Sequence, residues 1–471
     1  MKKTKIMATI GPASKDKIIL EDMISNGMNV ARLNMKYSSI EFCKDIIYKI
    51  RNIDENLKTT TSILMDLKGP DITIGKIMDG KATLEENDKI RIYMDPILGD
   101  KTKFSVSYSG LINDVKTNTI IKLNEGLVIL KVLEKGTNFL ICEVIQGGTI
   151  CSDKSINVLD TRLNIPFITE KDKEDLKFAN EENIDYISLS FVRSAEDVLE
   201  VNDLLIDYGN DHTSIITKIE TENALEELDE IIKVSDGIIV ARGDLGVEIP
   251  LERIPSIQKK IINKCHIQSK ISVIATEMLS SMENNILPTR AEVSDIASAV
   301  LDGVDTVMLS GETTIGKYPV GTITMMNKII ESSEEDINYY ELLDKAARSE
   351  KQDTTGSIAY SVVDCASRLK AISIVTPTMT GYTAKKISRF RPNCPIIALT
   401  PNKKAAHSLG LYYGIYPVVI DETKSFDMIL KLSKSAVLRR LKHVDGDKII
   451  VTGGYPFKEV KHTNFMKIEE L

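Results

Sequence analysis

Two charged side chains, Lys218 and Glu220, end a short apolar run and could act on an anionic substrate. Residues two apart on a β-strand point to the same face, so this pair would share one surface. A second carboxylate, Asp244, follows another apolar run in the sequence ARGDLG. Two carboxylates from neighbouring strands can hold one Mg²⁺ or Mn²⁺ and leave coordination positions for substrate oxygens. The pattern indicates a divalent-metal site beside a fixed positive charge.

Positive charge near these carboxylates favours phosphoryl transfer, because Lys218 and Arg32 would offset the charge of the moving group. The glycines of ARGDLG would let peptide N–H groups approach a substrate carboxylate. A single Lys-x-Glu pair on a strand is usually a solvated face, and a Gly-rich turn alone is as often structural as functional. The prediction therefore depends on polar residues recurring at the ends of many strands: Arg32, Asn34, Asp66, Ser190, Lys218, Glu220, Arg242, Asp244, Thr276, Ser310 and Glu312.

The elements that must position these residues are apolar runs alternating with amphipathic stretches, a pattern typical of parallel strands with helical crossovers. Eight such strands close into a (β/α)8 TIM barrel, whose catalytic groups lie at the C-terminal strand ends. We predict that residues 1–69 and 166–340 form this barrel. The predicted strands span residues 5–10, 30–35, 62–66, 186–191, 214–219, 237–241, 272–276 and 306–309.

Two further domains are predicted. Residues 70–165 contain short alternating runs with little helical periodicity, which indicates an inserted small all-β domain, a β-barrel cap at the active-site end. Such a cap would close over a substrate. Residues 341–471 restart the alternating pattern and predict a C-terminal α/β domain. Within it, residues 378–384 suit either a bound phosphate or a plain capped helix start.

Composition excludes several classes of protein. The chain has 471 residues, 42% of them apolar, and its formal charge of −8 comes with scattered lysines and arginines. It therefore lacks the basic patch of a nucleic-acid-binding protein, and no apolar run is long enough to span a membrane. Six well-separated cysteines without a CxxC pair favour a reducing compartment. We expect a cytoplasmic protein with neither nucleic-acid nor membrane partners.

Ten motifs spread over nearly the whole chain carry a family resemblance. The most specific is SDGIIVARGDLGVEIP. The others are TKIMATIGPAS, GMNVARLN, MDLKGP, ITEKDKEDL, SFVRSAEDV, ATEMLSSM, PTRAEVSDIASAVLDG, MLSGET and ISRFRPNCPIIALTPN. Through these motifs the chain resembles the pyruvate kinase family. The resemblance implies that it transfers a phosphoryl group from phosphoenolpyruvate to ADP, giving pyruvate and ATP in glycolysis, as a homotetramer.

The resemblance also implies roles for single residues. Lys218 matches the lysine that stabilises the charge of the transferring phosphoryl group. Glu220 and Asp244 match the Mg²⁺ or Mn²⁺ ligands. Thr276 matches the polar group near the enol carbon that is protonated, and Arg32 acts with it and Lys218 in catalysis. The positions matching substrate contacts are Arg32, Lys218, Gly243, Asp244 and Thr276.

The cation and nucleotide positions depart from the family. Asn34, Asp66 and the backbone oxygen of Leu67 match ligands of a monovalent cation, usually K⁺, but Lys36 replaces a serine ligand. We predict that the Lys36 ammonium reaches Asp66 and replaces K⁺, because it carries the same charge and donates hydrogen bonds. The alternative is that Lys36 extends to solvent and leaves a weakened K⁺ site.

Nucleotide contacts are implied at Asn34, Lys36, Tyr37 and Lys154, with Tyr37 replacing a histidine. Further along, Asp71 and Thr73 stand where the family has glutamate and arginine, so one arginine contact to the nucleotide phosphates is missing. Asn-Glu-Gly also replaces Asp-Asp-Gly at 124–126. In the third domain a loop resembles the family's binding site for an activating sugar phosphate, and its residues are Thr378, Thr380, Gly381 and Thr383.

Two alternative functions remain open at this stage. The first is another enzyme on the same barrel, for instance a metal-dependent aldolase acting on pyruvate enolate. The second is a catalytically weak relative that binds phosphoenolpyruvate as a regulatory protein. A pure binder would not need Lys218, Glu220, Asp244 and Thr276 together, so an active pyruvate kinase with altered cation and nucleotide handling is the favoured prediction.

Overall fold

A computed structural model describes residues 1–161, 163–210, 212–348, 353–423, 425–455 and 462–471. Eight parallel strands form a closed barrel, which confirms the predicted (β/α)8 fold. Each predicted strand is present, with bounds that differ by at most two residues. The barrel strands, numbered first to eighth in chain order, are Lys5–Thr9, Val30–Asn34, Ser62–Asp66, Tyr186–Leu189, Ser214–Ile219, Gly237–Ala241, Ile271–Ala275 and Thr306–Leu309.

Helices accompany these strands, and the longest shows how the sequence sets its ends. Ser39 accepts a hydrogen bond from the Phe42 N–H at 3.2 Å and caps the helix Ile40–Leu57, which ends at the left-handed residue Lys58. Apolar residues three or four apart turn one face of this helix toward the barrel. The other helices of this part are Lys17–Ser25, Glu170–Glu181, Ala195–Asp207, Glu222–Glu226, Leu228–Val234, Arg242–Glu248, Ile254–Ile267, Arg290–Leu301, Gly311–Thr314, Pro319–Glu335 and Tyr339–Arg348, with 3₁₀ turns at Leu251–Arg253 and Ser280–Glu283.

The segment between the third and fourth barrel strands forms two sheets with a core of their own. We call it the cap. One sheet pairs Lys81–Leu84 with Gly148–Cys151. The other has six strands, in spatial order Ile156–Val158, Ile120–Leu123, Val128–Lys135, Phe139–Gln146, Lys89–Tyr93 and Lys103–Ser105. Short helical turns lie at Met78–Gly80 and Leu111–Asp114.

The C-terminal part is a five-stranded sheet with helices, which confirms the predicted α/β domain. Its parallel strands are Ile415–Val419, Ile396–Thr400, Ser373–Pro377 and Lys448–Gly453, and Phe465–Glu470 adds an antiparallel edge. The helices are Thr354–Leu369, Tyr382–Ser388, Lys403–His407 and Phe426–Arg440. None of the helices in the described ranges combines the length and apolar character needed to cross a bilayer.

The C-terminal part packs against the end of the barrel where the strands begin. The Lys5 ammonium, at the start of the first strand, donates to the Ile415 carbonyl at 2.6 Å. The hydroxyl of Tyr186, which begins the fourth strand, donates to the Ser408 carbonyl at 2.6 Å. Apolar residues of both parts share one buried cluster. The opposite end of the barrel, where the strands finish, is therefore left to the cap.

Candidate active site

The predicted site residues meet at the C-terminal end of the barrel because strand register places them at one level. Asn34 on the second strand pairs with Asp66 on the third, and Asp66 pairs with Ser188 on the fourth. Lys218 lies on the fifth strand, and Glu220 follows directly after it. These side chains therefore surround one space although nearly two hundred residues separate the second strand from the fifth.

Lys218 lies at the centre of this group. Its ammonium is 2.7 Å from Glu220 Oε1 and 3.8 Å from Asp66 Oδ2, and it donates to Ser190 Oγ at 3.1 Å. Burial alone would lower the pKa of Lys218, but the carboxylates of Asp66 and Glu220 outweigh it and raise this pKa well above its usual range. The side chain is a permanent positive charge suited to stabilise a phosphoryl group rather than to accept a proton.

Glu220 and Asp244 are the carboxylates available for a divalent metal. Glu220 Oε2 accepts a hydrogen bond from the Phe191 N–H at 2.6 Å. The other oxygen, Oε1, is buried near the Lys218 ammonium but receives no well-directed hydrogen bond from any described residue. Burial, reinforced by the charge of Asp244, raises the pKa of Glu220 above its ordinary value. A buried oxygen of this kind fits a divalent-metal ligand, which would also relieve the repulsion between the carboxylates.

Arg32 and Asp66 form a buried ion pair next to Lys218. Arg32 Nε donates to Asp66 Oδ2 at 2.9 Å, a second guanidinium nitrogen also contacts that oxygen, and the third donates to Thr9 Oγ1 at 2.8 Å. Ser188 Oγ donates to the other carboxylate oxygen at 2.6 Å. Burial would raise the pKa of Asp66, but the charges of Arg32 and Lys218 overcome it and hold this pKa below its ordinary value. The pair holds the Arg32 side chain in a fixed orientation at the site.

Gly243 and Thr276 lie together across the ends of the sixth and seventh strands. The Gly243 N–H donates to Thr276 Oγ1 at 2.8 Å, and that hydroxyl donates to the Ala275 carbonyl at 2.6 Å. Thr276 was predicted inside a strand, but it follows the strand end and has a left-handed backbone, with φ of +68°. This conformation costs a β-branched residue about 1–3 kcal/mol. An N–H and a hydroxyl thus bond to one another at the same end of the barrel as Lys218.

The predicted contact between Lys36 and Asp66 is wrong. The Lys36 ammonium lies 2.6 Å from Asp71 Oδ2 and donates to Ser155 Oγ at 2.8 Å, both beyond the third barrel strand. The physical reason is that Asp66 is already paired with Arg32. In addition, Asn34 Oδ1 accepts the Lys36 N–H at 3.1 Å, a short turn that carries the side chain away from the barrel axis.

The proposed ligands of a monovalent cation are engaged by donors of the protein itself. Asn34 Oδ1 accepts from the Lys36 N–H, and the Leu67 carbonyl accepts from Ser190 Oγ at 2.8 Å. Both oxygens of Asp66 accept hydrogen bonds, one from Ser188 and one from Arg32. The residues present therefore do not fit a K⁺ ion well. The positive charges beside Asp66 are instead the side chains of Arg32 and Lys218.

Two predicted nucleotide residues lie at the exposed mouth of the site. Tyr37 is 78% exposed, and the Lys36 ammonium is 5.6 Å from the centroid of its ring. Lys154 is exposed and precedes Ser155, the residue that contacts Lys36. The structure thus brings Lys36, Tyr37 and Lys154 to one edge, between the second barrel strand and the cap.

The predicted effector loop lies far from this site, in the C-terminal part. The Gly381 N–H donates to Thr378 Oγ1 at 2.9 Å, and Thr383 Oγ1 lies 2.9 Å from Thr463 Oγ1. Thr380 is exposed. Two of the three hydroxyls are therefore used within the fold, although neither caps the helix Tyr382–Ser388, whose N-cap residue is Gly381. An effector site here stays a prediction.

Three contributors to the site were not predicted. Ser188 holds Asp66, and Asp71 and Ser155 hold Lys36. A sequence signal existed for Ser188, since it lies two residues before Ser190 in an otherwise apolar run and therefore on the same face. For Asp71 the signal was its place at the family's glutamate position after MDLKGP. No comparable signal existed for Ser155, because it lies outside the barrel strands.

Comparisons with known proteins identify the family of this chain. Residues 1–323 match the family model described as the pyruvate kinase barrel domain, and residues 356–469 match the pyruvate kinase alpha/beta domain. A pyruvate kinase of Clostridium perfringens is 41% identical over 474 residues, covering 100% of both chains. One from Clostridium acetobutylicum is 40% identical over 471 residues, covering 100% of this chain and 99% of the relative. One from Sporosarcina psychrophila is 41% identical over 99% of this chain and 80% of the relative. The chain therefore belongs to the pyruvate kinase family and is a phosphotransferase.

Proposed function

We propose that this enzyme moves the phosphoryl group of phosphoenolpyruvate to ADP, giving pyruvate and ATP, with the Lys36 ammonium, paired with Asp71, supplying positive charge near the position of a monovalent cation. The observation that carries the reaction is the buried ammonium of Lys218, held within 3.8 Å of Asp66 and Glu220 at the end of the barrel. Its position is fixed before substrate arrives, so it can stabilise charge that moves during transfer without reorganisation.

The divalent metal would be held by Glu220 and Asp244. When bound, Mg²⁺ or Mn²⁺ supplies positive charge that neutralises phosphate and carboxylate oxygens of the substrate. The chain's own contribution is to keep Glu220 buried and to leave its Oε1, which lies 2.7 Å from the Lys218 ammonium, without a well-directed hydrogen bond from the described residues. Asp66 does not compete for the metal because Arg32 already pairs with it.

Substrate orientation falls to Gly243, Thr276 and Arg32. The Gly243 N–H and the Thr276 hydroxyl bond to one another in the absence of substrate, at 2.8 Å. Exchange of that contact, and of the bond from the Thr276 hydroxyl to the Ala275 carbonyl, for two bonds to a carboxylate would conserve the number of hydrogen bonds. Thr276 would then lie near the enol carbon that takes up a proton after transfer, and Arg32 would face the phosphoryl group.

Lys36 supports the unusual part of the proposal. Its ammonium carries the unit charge of K⁺ and is bound to the buried carboxylate of Asp71, whose side chain is only 1% exposed. A buried carboxylate without a cation would be costly, so the pair is mutually dependent. With the cation ligands already engaged, the site has its positive charge without an added ion. Tyr37 and Lys154 beside Lys36 would contact the nucleotide.

Location and assembly rest on family resemblance alone: we propose a cytoplasmic homotetramer, with a sugar phosphate as effector of the loop at Thr378–Thr383. The alternatives of an aldolase and a catalytically weak binding protein are disfavoured by full-length identity to pyruvate kinases.

One assay tests both parts of the proposal. Initial rates with phosphoenolpyruvate and ADP are measured by coupling pyruvate formation to lactate dehydrogenase, in KCl and in tetramethylammonium chloride at equal ionic strength. Turnover in both salts, with little difference between them, is expected. Absence of turnover in both salts would contradict the reaction, whereas turnover in KCl alone would contradict only the role of Lys36.

A further inference from the structure

Two consecutive residues beside the substrate position have a conformation that needs support. Thr276 has φ of +68° and Glu277 has φ of +54°. Neither is glycine, and Thr276 is β-branched, so the left-handed region is unfavourable for both. Such a turn persists only where neighbouring groups hold it. The groups that hold this turn therefore decide where the Thr276 hydroxyl lies.

Arg242, at the end of the sixth barrel strand, holds the turn from the side. One guanidinium nitrogen donates to the Thr276 carbonyl at 2.7 Å and to the Glu277 carbonyl at 3.3 Å. Another donates to Asp295 Oδ2 at 2.5 Å. Arg242 is 8% exposed. Its planar group is thus fixed between two backbone carbonyls and a carboxylate, an arrangement that a lysine cannot reproduce.

Asp295 provides a firm anchor for the guanidinium. It belongs to the helix Arg290–Leu301, which begins with a complete capping box formed by Thr289 and Glu292. The Glu292 carboxylate also accepts from the Ser281 N–H at 2.7 Å. The helix start is therefore fixed to the loop that follows the turn. Backbone movement of Asp295 relative to the turn is therefore restricted at the start of its helix.

A second contact runs in the opposite direction between the same strand ends. The Arg242 side chain binds the backbone of Thr276, while the Thr276 side chain accepts from the N–H of Gly243, the residue after Arg242. The ends of the sixth and seventh strands are thus joined by two hydrogen bonds, and each strand end contributes one side chain and one backbone group. Displacement of either would move both the hydroxyl and the N–H that face the substrate.

We infer that Arg242 is a positioning residue for the reaction: it keeps residues 276–277 in the left-handed turn that places the Thr276 hydroxyl against the Gly243 N–H. Arg242 itself need not touch the substrate. This inference rests on the proposed function, in which Thr276 and Gly243 orient phosphoenolpyruvate. Arg242 then affects the reaction only through the position of Thr276, so the effects of substituting the two residues on activity should not be independent.

A double-mutant cycle tests this dependence. The variants Arg242→Met, Thr276→Ala and the double variant are compared by kcat/KM for phosphoenolpyruvate and by thermal unfolding. Arg242→Met is expected to lose on the order of 10²-fold, as displaced catalytic groups do. Because its effect passes through Thr276, the double variant should be within about twofold of Thr276→Ala alone. Arg368→Met, which breaks an exposed pair with Asp364, serves as the control and should match the parental enzyme.

The outcomes separate the inference from the proposed function. Losses that multiply in the double variant would overturn the inference, because Arg242 would then act independently of Thr276. A fully active Thr276→Ala would remove Thr276 from the proposed function and the inference with it. If Arg242→Met does not fold, Arg242→Lys is used instead, because it keeps the positive charge but lacks the planar guanidinium group. Parental activity in Arg242→Lys would also overturn the inference.

A suppressor provides an independent readout. Glu277→Gly removes the backbone strain at that position because glycine accepts a positive φ. Added to Arg242→Lys, it should recover activity several-fold, whereas in the parental background it should not raise activity. Failure to recover any activity in a folded double variant would argue that Arg242 does not act through the turn.

Discussion

The substrate half of the site and the cation half are built from different parts of the molecule. Lys218, Glu220 and their neighbours on the fifth to seventh barrel strands are buried and closely coupled in charge. Lys36, by contrast, joins a barrel loop to Asp71 and Ser155 beyond the third strand. Replacing one residue of a buried charge cluster leaves an uncompensated charge. At the boundary with the cap, a lysine such as Lys36 can instead supply the charge of an ion, because the carboxylate of Asp71 is close enough to pair with it.

The largest loss of activity is expected in the substrate half of the site, from a substitution at Asp244. Asp244→Asn should lower kcat by about 10³-fold. Loss of one charged metal ligand raises the activation free energy of phosphoryl transfer by several kcal/mol. Steady-state rates at ordinary Mg²⁺ measure the loss, and thermal unfolding verifies that the chain is folded. Asp364→Asn, at an exposed ion pair, is the matched control. Near-parental kcat in Asp244→Asn would place the metal elsewhere.

Lys218 should show the next largest effect. Lys218→Met is expected to lower kcat by about 10²- to 10³-fold with a much smaller change in KM for phosphoenolpyruvate, since its charge matters most where negative charge moves. Lys345→Met, which removes an exposed partner of Glu341, controls for loss of a lysine. If the whole loss appears in KM, Lys218 binds only the ground state.

In the cation half the expected effect is smaller and reversible. Lys36→Ser should lower kcat in tetramethylammonium chloride by about tenfold, or ~1.4 kcal/mol, because Asp71 is left without its cation. Added KCl should restore part of the activity in the variant and change the parental rate little. Lys44→Ser, which breaks an exposed pair with Glu182, is the control. Strong K⁺ activation of the parental enzyme would contradict the replacement.

The substrate half also predicts a pH dependence of metal binding. Burial raises the pKa of Glu220, so in the metal-free protein a proton competes with the metal up to a higher pH than at an exposed glutamate. Affinity for Mn²⁺ should therefore rise with pH by up to about tenfold per unit below that pKa and become constant above it. Titration calorimetry at several pH values measures this slope. A flat profile, or an unchanged slope in Glu220→Gln, would contradict the assignment.

The smallest effect is expected in the C-terminal part, away from both halves. If the loop at Thr380 holds an effector phosphate, a sugar phosphate should lower the KM for phosphoenolpyruvate by about fivefold. Thr380→Glu should abolish this response by like-charge repulsion. Ser361→Glu, on an exposed helix face of the same domain, should leave the response intact. Absence of any response in the parental enzyme would favour the capped helix start.

The sequence predicted the barrel well because its strands are short apolar runs separated by amphipathic stretches. The third, fifth, sixth and eighth strands have the predicted bounds, and the seventh is shifted by one residue. That shift has a physical cause: Thr276 leaves the strand because Arg242 and Gly243 hold its turn. In the C-terminal part the helix Phe426–Arg440 and the edge strand Phe465–Glu470 were not predicted. The edge strand is exposed on alternate residues and depends on one neighbouring strand.

By itself, the sequence determined the eight strands, the residue types at their ends and the motifs shared with the family. Period-two alternation and strand order are sufficient to bring Lys218, Glu220, Asp66 and Asn34 to one end of a closed barrel. Tertiary structure alone decided the partners of long side chains. Lys36 contacts Ser155, 119 positions away, rather than Asp66, because Arg32 already neutralises Asp66 and the cap supplies another carboxylate. Such a choice depends on competition among neighbours in space, which linear spacing does not encode.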